Sequence, residues 1–260
     1  MVLKLQYRSL PLFMGIKYSV NEVFFDTWSS QMAYVLGYLY ADGSLEDAWY
    51  LRGKYIRVSS IDKSSIELIH NLLESHHPIS IKKRNLPCKD QYLLRIGSHR
   101  LYYALTKHGL FPNKSLSVQF PPIPQLYFKD FLRGYFDGDG CVFLERAKGI
   151  TKKLIIKKLS IIFTSGSKIF IERLHAHVSK IICENKKIHR IYNSNRAFQI
   201  RYSTCESIKL FTLLYDNIPK GLFLKRKLKI FVKYFILRPS KITSEIKGIL
   251  KNTGYGHRVK

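Results

Sequence analysis

Acidic residues are scarce in this chain. Only 18 Asp+Glu stand against 44 Lys+Arg, which leaves a formal net charge of +26. A surplus of that size excludes a strongly basic partner and points to a polyanion, with nucleic acid the default. Cysteine is scarce as well. The four are Cys88, Cys141, Cys183 and Cys205. None pair as C-x-x-C, which excludes a zinc ribbon, and so few in a chain this long exclude a disulfide scaffold. They read as reduced thiols of an intracellular protein. Long apolar runs are missing too. The opening MVLKLQYRSLPLF has no continuous apolar segment of signal-peptide length, and KIFVKYFIL is short and broken by Lys233. Neither feature offers a membrane partner. What the chain does have is 46% hydrophobic and 13% aromatic residues over 260 positions. That content excludes a disordered basic tail and supplies a core for one large domain or two small ones.

The chain repeats itself. Residues 34–43, YVLGYLYADG, and 131–140, FLRGYFDGDG, share a bulky start, a Gly, a Tyr, a small residue and a final Asp-Gly, with the two aspartates 97 residues apart. Residues 56–69 and 161–174 each read as strand, turn and amphipathic helix. QYLLRIGS (91–98) and RAFQIRYS (196–203) read as strands. HRLYYALTKHGL and the run from Cys205 read as helices. Each half therefore spells helix, two strands, helix, two strands, helix. We divide the chain into an N-terminal half at 21–110, a linker at 111–124 and a C-terminal half at 125–236. Residues 1–20 and 237–260 are terminal extensions. The linker carries Pro112, Pro121, Pro122 and Pro124, which bar helix and central strand.

Each repeated helix has two features in need of a cause. Small residues stand four apart, Gly37 with Ala41 and Gly134 with Gly138. Residues four apart share a helix face. A glycine inside a helix costs about 1 kcal/mol relative to alanine. The economical explanation is close packing of the two helices, small face to small face. The second feature is the aspartate at each helix end, followed by Gly43 or Gly140 as stop signals. Asp42 and Asp139 thus meet the negative ends of their helix dipoles, and the packing brings the two like charges together. A divalent cation relieves both penalties, and Mg²⁺ needs only one or two carboxylates beside waters and phosphate oxygens.

VLGYLYADG and LRGYFDGDG resemble the paired signature motifs of the LAGLIDADG homing endonucleases, in their single-chain, double-motif form. The resemblance runs from about Asn21 to Phe235. It implies an α+β fold of two pseudo-symmetric αββαββα halves. The motif helices would form the central seam, and antiparallel saddles would bind DNA. The implied activity is metal-dependent hydrolysis of both strands of a long duplex site by a monomer, leaving short 3′ overhangs. Mg²⁺, or another divalent ion such as Mn²⁺, is the implied cofactor.

Carried over by position, the metal-binding acids are Asp42 and Asp139, with Ala41 and Gly138 beside them in the metal set. Lys114 and Lys225 match the basic residues near each active centre, and Ser60 and Ser165 match the polar residues that line the water pocket. The earlier acidic position of the motif holds Tyr40 in one half and Asp137 in the other. Asp137 is read as a polar or capping residue. Arg133, where the family often has a small residue, is expected to point out, since pointing into the helix seam would oppose close packing.

Strand alternation nominates the DNA-facing side chains. Arg57, Lys82, Arg84, Arg95, Lys157, Arg190, Gln199 and Arg201 are candidates, with Lys227 as a further contact. Arg suits guanine edges and Gln suits adenine, whereas many of the lysines would meet phosphate. Two other readings stay open on the same scaffold: an RNA-binding maturase of the host intron, and a nonenzymatic DNA-binding regulator. The second normally accompanies loss of the acids, which are both present. The Lys-, Ile- and Phe-rich composition fits AT-rich coding DNA, as in an organelle or a bacterial cytoplasm.

Overall fold

A computed structural model describes residues 18–51, 53–148, 154–182, 191–194 and 197–258. The first helix, α1 (Ser30–Asp42), starts at Ser29, whose hydroxyl accepts the Met32 amide. This cap satisfies a backbone donor that the first helical turn leaves open. Every residue from Met32 to Tyr40 is buried. A helix apolar on all sides belongs at the centre of a protein, not on its surface.

The chain passes from α1 into β1 (Gly43–Ala48) without a loop. It returns as β2 (Gly53–Ser60), then α2 (Lys63–Leu72), β3 (Ile79–Lys82), β4 (Gln91–Gly97) and α3 (His99–Lys107). The second half repeats this order: α4 (Phe128–Asp139), β5 (Gly140–Lys148), β6 (Leu154–Ser165), α5 (Lys168–Ile182), β7 (Ile191–Ser194), β8 (Ala197–Tyr202) and α6 (Thr204–Tyr215). Two more helices follow, α7 (Lys225–Leu237) and α8 (Ser244–Asn252). The fold is α+β, as the hydrophobic pattern indicates. Helix α8 buries Ile246, Ile249 and Leu250 in the common core, so this part of the C-terminal extension is integral to the packing.

Both sheets are antiparallel, ordered β1-β2-β4-β3 and β5-β6-β8-β7. Their registers agree. Gly43 pairs with Val58 and Val58 with Leu94. Gly140 pairs with Phe163 and Phe163 with Ile200. One face of each sheet packs inward through residues such as Ile56, Val58, Leu94 and Ile96, or Leu159, Ile161, Phe163 and Ile200. The other face is left to polar side chains.

The two halves meet along α1 and α4. A Cβ placed on Gly37 would lie 2.0 Å from the Phe131 carbonyl oxygen, and one on Gly134 would lie 1.9 Å from the Tyr34 carbonyl oxygen. Phe131 and Tyr34 hold the same place in the two repeats, so the contact is reciprocal about a pseudo-two-fold axis. A Cβ on Gly138 would lie 2.4 Å from that of Ala41. The small residues are therefore where one backbone rests on the other, as the spacing predicts.

Gly43 and Gly140 are extended, at φ −90° and −79°, so they end their helices as first strand residues and not through a left-handed cap. An exposed glycine in α8 provides a control, because nothing lies within 4 Å of a Cβ on Gly248. Gly134→Ala is expected to lower stability by about 3 kcal/mol or more through backbone overlap. Gly248→Ala should raise it by about 0.5–1 kcal/mol through helix propensity. Denaturant melts of the two variants check this pair, and a Gly134→Ala melt like that of the wild type would contradict it.

Candidate active site

Asp42 and Asp139 close α1 and α4 at the level where the two helices touch. A Cβ on Gly138 would stand 3.5 Å from an Asp42 carboxylate oxygen, which places that carboxylate against the end of the opposite helix. Each acid sits at a helix C-terminus, where the dipole disfavours negative charge. Burial pushes both carboxyls up. For Asp139 the charge of Asp42 adds to burial, and its pKa rises to about 6. Asp42 is relieved by a hydrogen bond from the Tyr38 hydroxyl. The equivalent tyrosine of the second half, Tyr135, donates instead to the Thr164 carbonyl at 2.6 Å. Asp139 thus carries the charge of Asp42 without a tyrosine hydrogen bond like the one that relieves Asp42.

Two buried lysines answer the two acids. Lys114 donates to the Tyr40 carbonyl at 2.8 Å, near the end of α1. Lys227 donates to the Phe136 and Gly140 carbonyls and lies 3.4 Å from that of Gly138, around the end of α4. Both cations occupy helix C-termini, which is the favourable end for them. Their attraction to the acids is crossed. Lys114 feels Asp139 before Asp42, and the attraction to Asp42 comes more from Lys227 than from Lys114. Burial outweighs these charges and lowers both ammonium groups, that of Lys227 to about 8.

These positions correct two assignments. Lys227 is a candidate DNA contact by sequence, yet it is 3% exposed and its ammonium is taken up by helix-end carbonyls. Lys225, nominated for the active centre, is exposed as the first residue of α7. Two residues along a helix turn the side chain by about 200°, so Lys225 and Lys227 look in opposite directions. The signal lies in the phase of α7: Leu224, Leu228, Phe231 and Phe235 make its buried stripe, and Lys227 falls on it. Lys114 is buried, and its charge is coupled to both acids.

Ser60 and Ser165 sit at the ends of β2 and β6. Each hydroxyl accepts the amide two residues on, from Asp62 and Ser167 respectively, at 3.1 Å in both cases. Each also bonds the motif tyrosine of its own half, Tyr38 or Tyr135. Their visible task is to open the next helix and to hold those tyrosines.

Asp137 is buried and polar, as read. One of its oxygens accepts the Tyr34 hydroxyl at 2.8 Å and the Leu224 amide at 2.7 Å, where α7 starts. Tyr40, its counterpart, donates to the His108 carbonyl at 2.7 Å and closes α3 in the same manner. Arg133 points away from the helix seam but not into solvent. It is fully buried, donating to Leu222 O at 2.7 Å and Leu214 O at 3.1 Å, and pairing with Asp130. The one cue to this network in the residue order is that Asp130 and Arg133 stand three apart on one helix face.

Among the described residues, Arg57, Arg95, Gln199 and Arg201 alternate with buried strand residues and so lie on the outer faces. Arg57 and Arg95 are cross-strand partners. Both contact Glu46, at 3.4 and 2.9 Å. Arg84 donates to Gln91, which donates to Ser59. Lys82 is exposed on β3. Gln199 lies on β8 opposite Thr164 and Tyr192. Arg201 reaches Glu145 at 3.3 Å. Lys157 belongs to β6, but its side chain is outside the described ones. Arg190 lies outside the described residues, as does Cys183, while Cys88, Cys141 and Cys205 are free thiols.

A model of the LAGLIDADG-like domain matches residues 129–213, from the motif helix α4 to α6. Residues 129–213 are thus similar to a LAGLIDADG-like domain. No curated protein matches the chain by sequence. Its fold is that of solved LAGLIDADG nucleases. The homing endonuclease I-LtrWI, solved bound to target DNA, is 13% identical, with 90% of this chain and 97% of that one covered at a TM-score of 0.54. I-GzeII, in complex with its DNA target, is 15% identical over 88% and 99% at 0.53. I-SmaMI, bound to uncleaved DNA target in the presence of calcium ions, is 13% identical over 88% and 98% at 0.51. Among the described residues, no helix is long and apolar enough to cross a membrane.

The donor set suits a hard divalent ion. Two carboxylates converge, and no cluster of three or more His, Cys, Asp or Glu exists among the described residues. That excludes an all-protein cage there but matches a cation that keeps its waters and takes phosphate oxygens. The raised carboxyl of Asp139 also has a thermodynamic consequence. Its folded pKa, about 6, exceeds the ordinary 3.8, so the native state holds the proton more tightly. The stability this contributes is complete below the ordinary value and is lost as pH rises to the folded one. Metal-free protein should therefore become more stable when the pH is lowered from 7 to 5. Asp139→Asn should blunt that gain and raise the thermal midpoint at pH 8. A variant with the wild-type pH profile would contradict the assignment.

Proposed function

We propose that the chain is a site-specific double-strand DNA endonuclease that hydrolyses one phosphodiester on each strand, acting as a monomer. One observation carries this reading: two buried aspartates, one from each half, are delivered to a shared point by a backbone-to-backbone helix seam that joins two sheets of matching topology. Two acids related by a pseudo-two-fold axis suit two scissile phosphates on antiparallel strands. The DNA-bound neighbours of the same fold support duplex DNA as the partner.

Asp42 and Asp139, with Ala41 and Gly138 beside them at the helix ends, would hold the divalent cation. Mg²⁺ or Mn²⁺ there would neutralise phosphate charge and lower the pKa of water for in-line attack. The protein's own contribution is positioning and charge. Lys114 and Lys227 keep cations at the negative helix ends, where they balance the acids in the free protein and stabilise a phosphate that enters. The lowered ammonium of Lys227, near 8, can hold or release a proton in the range where hydrolysis would run. Tyr38 fixes one acid by a hydrogen bond. The polar open faces of the two sheets hold the duplex across both centres. A nonenzymatic regulator would gain nothing from two buried acids that oppose each other, since such groups cost stability.

Asp42→Asn and Asp139→Asn are each expected to reduce double-strand cleavage by a factor of about 10³ or more, with duplex affinity within several-fold of wild type. Cleaved duplexes selected from a random library with Mg²⁺ supply the substrate, and gel-shift titration measures binding. Wild-type cleavage by both variants would defeat the proposal. Binding and splicing of host intron RNA without any duplex cleavage would replace it with the maturase reading.

A further inference from the structure

The open faces of the two sheets differ almost everywhere, yet one construction occurs on both. The registers make Leu94 and Ile200 equivalent, because each is reached from the first strand glycine through the same pairing. Arg95 and Arg201, one residue further on, therefore occupy the same place in the two halves. This differs by one position from an alignment on Ser98 and Ser203, since Gly97 is an extra residue in the first half. Each arginine is gripped by a glutamate from the leading strand of its own sheet. Arg95 Nε lies 2.9 Å from Glu46, and Arg201 Nη2 lies 3.3 Å from Glu145 and 3.5 Å from the Ser160 hydroxyl; the two glutamates stand two register positions apart, Glu46 matching Phe143 and Glu145 matching Ala48. Each lies over an aromatic ring, Tyr55 at 3.6 Å and Phe143 at 4.9 Å. The two side chains are almost equally open, at 41% and 43%. Arg57, by contrast, is equivalent to Ile162, so its contact has no counterpart in the second half.

A carboxylate on a DNA-facing sheet repels phosphate, so Glu46 and Glu145 weaken affinity. Their gain is orientation. A guanidinium stacked on a ring and held by a carboxylate has lost its rotamer freedom before DNA arrives, while its remaining donors stay open as a planar fork. Such a fork fits the O6 and N7 edge of guanine and does not fit another base equally well. We infer that Arg95 and Arg201 read a dyad-related pair of guanines, one in each half-site at equal distance from the centre and on opposite strands. Glu46 and Glu145 are the positioning residues of this readout. The inference rests on the duplex-binding reading above and adds a feature of the target to it.

The test is selection of bound duplexes from a random library by the full chain, with EDTA present to keep them intact. The wild type should recover sites with guanine at two symmetric positions, preferred by roughly 10- to 100-fold over other bases. Arg95→Ala should erase the preference in one half-site only, and Arg201→Ala in the other only. Arg95→Lys should erase it as well, while keeping the salt dependence of binding, because the charge remains and the fork is lost. Glu46→Gln should weaken the preference in the Arg95 half-site and leave overall affinity equal or higher. Enriched sites lacking the symmetric guanines, or variants that lose affinity evenly across all sequences, would overturn the inference and leave duplex recognition standing. Absence of any enriched sequence with the wild type would overturn both.

Discussion

The contact between two backbones is the constraint on which everything else depends. Gly37 rests on the Phe131 carbonyl and Gly134 on the Tyr34 carbonyl, so α1 and α4 approach more closely than any pair of side chains allows. The cost is two glycines inside helices, about 1 kcal/mol each. In return the ends of both helices arrive at one place, and so do the residues that end them. Both sheets start directly from those ends, which fixes their open faces relative to the acids without an intervening flexible loop.

That closeness creates an electrostatic problem which the surrounding chain only partly answers. Two carboxylates at negative helix ends oppose the dipoles and each other. Lys114 and Lys227 reduce the conflict by placing ammonium groups on the same terminal carbonyls. Yet both acids remain shifted upward and both lysines downward, because burial weighs on all four. The centre is thus under tension in the free protein, which is the condition in which binding a divalent ion and a phosphate is most favourable. Away from the centre the molecule is quieter. Asp137 and Tyr40 stand at equivalent places and use different chemistry for the same job, tying a motif helix to the next structural element.

Much of this was legible in the sequence. The repeated Gly, Tyr and Asp-Gly pattern showed the seam, the paired acids and the duplication, because close helix packing leaves a periodic mark in residue size. Strand alternation around Arg57 showed which side of β2 faces out. The failures share a cause. Lys227 and Arg133 are charged, and charge alone reads as surface, whereas both are buried where helix-end carbonyls and Asp130 can satisfy them. The equivalence of Arg95 and Arg201 was hidden by one extra residue at Gly97, which only the strand pairing reveals. The divided service of Tyr38 and Tyr135 depends on hydroxyl direction, which no pattern of residue types encodes.

The central claim is that the helix seam makes Asp42 and Asp139 neighbours. Carbon-detected NMR of the side-chain carboxyls, followed through pH in metal-free protein, measures it directly. In an Asp42→Asn background the account predicts that the Asp139 midpoint falls from about 6 toward the ordinary carboxylate range, because one of its two causes is removed. An Asp139 titration indifferent to that substitution would contradict it.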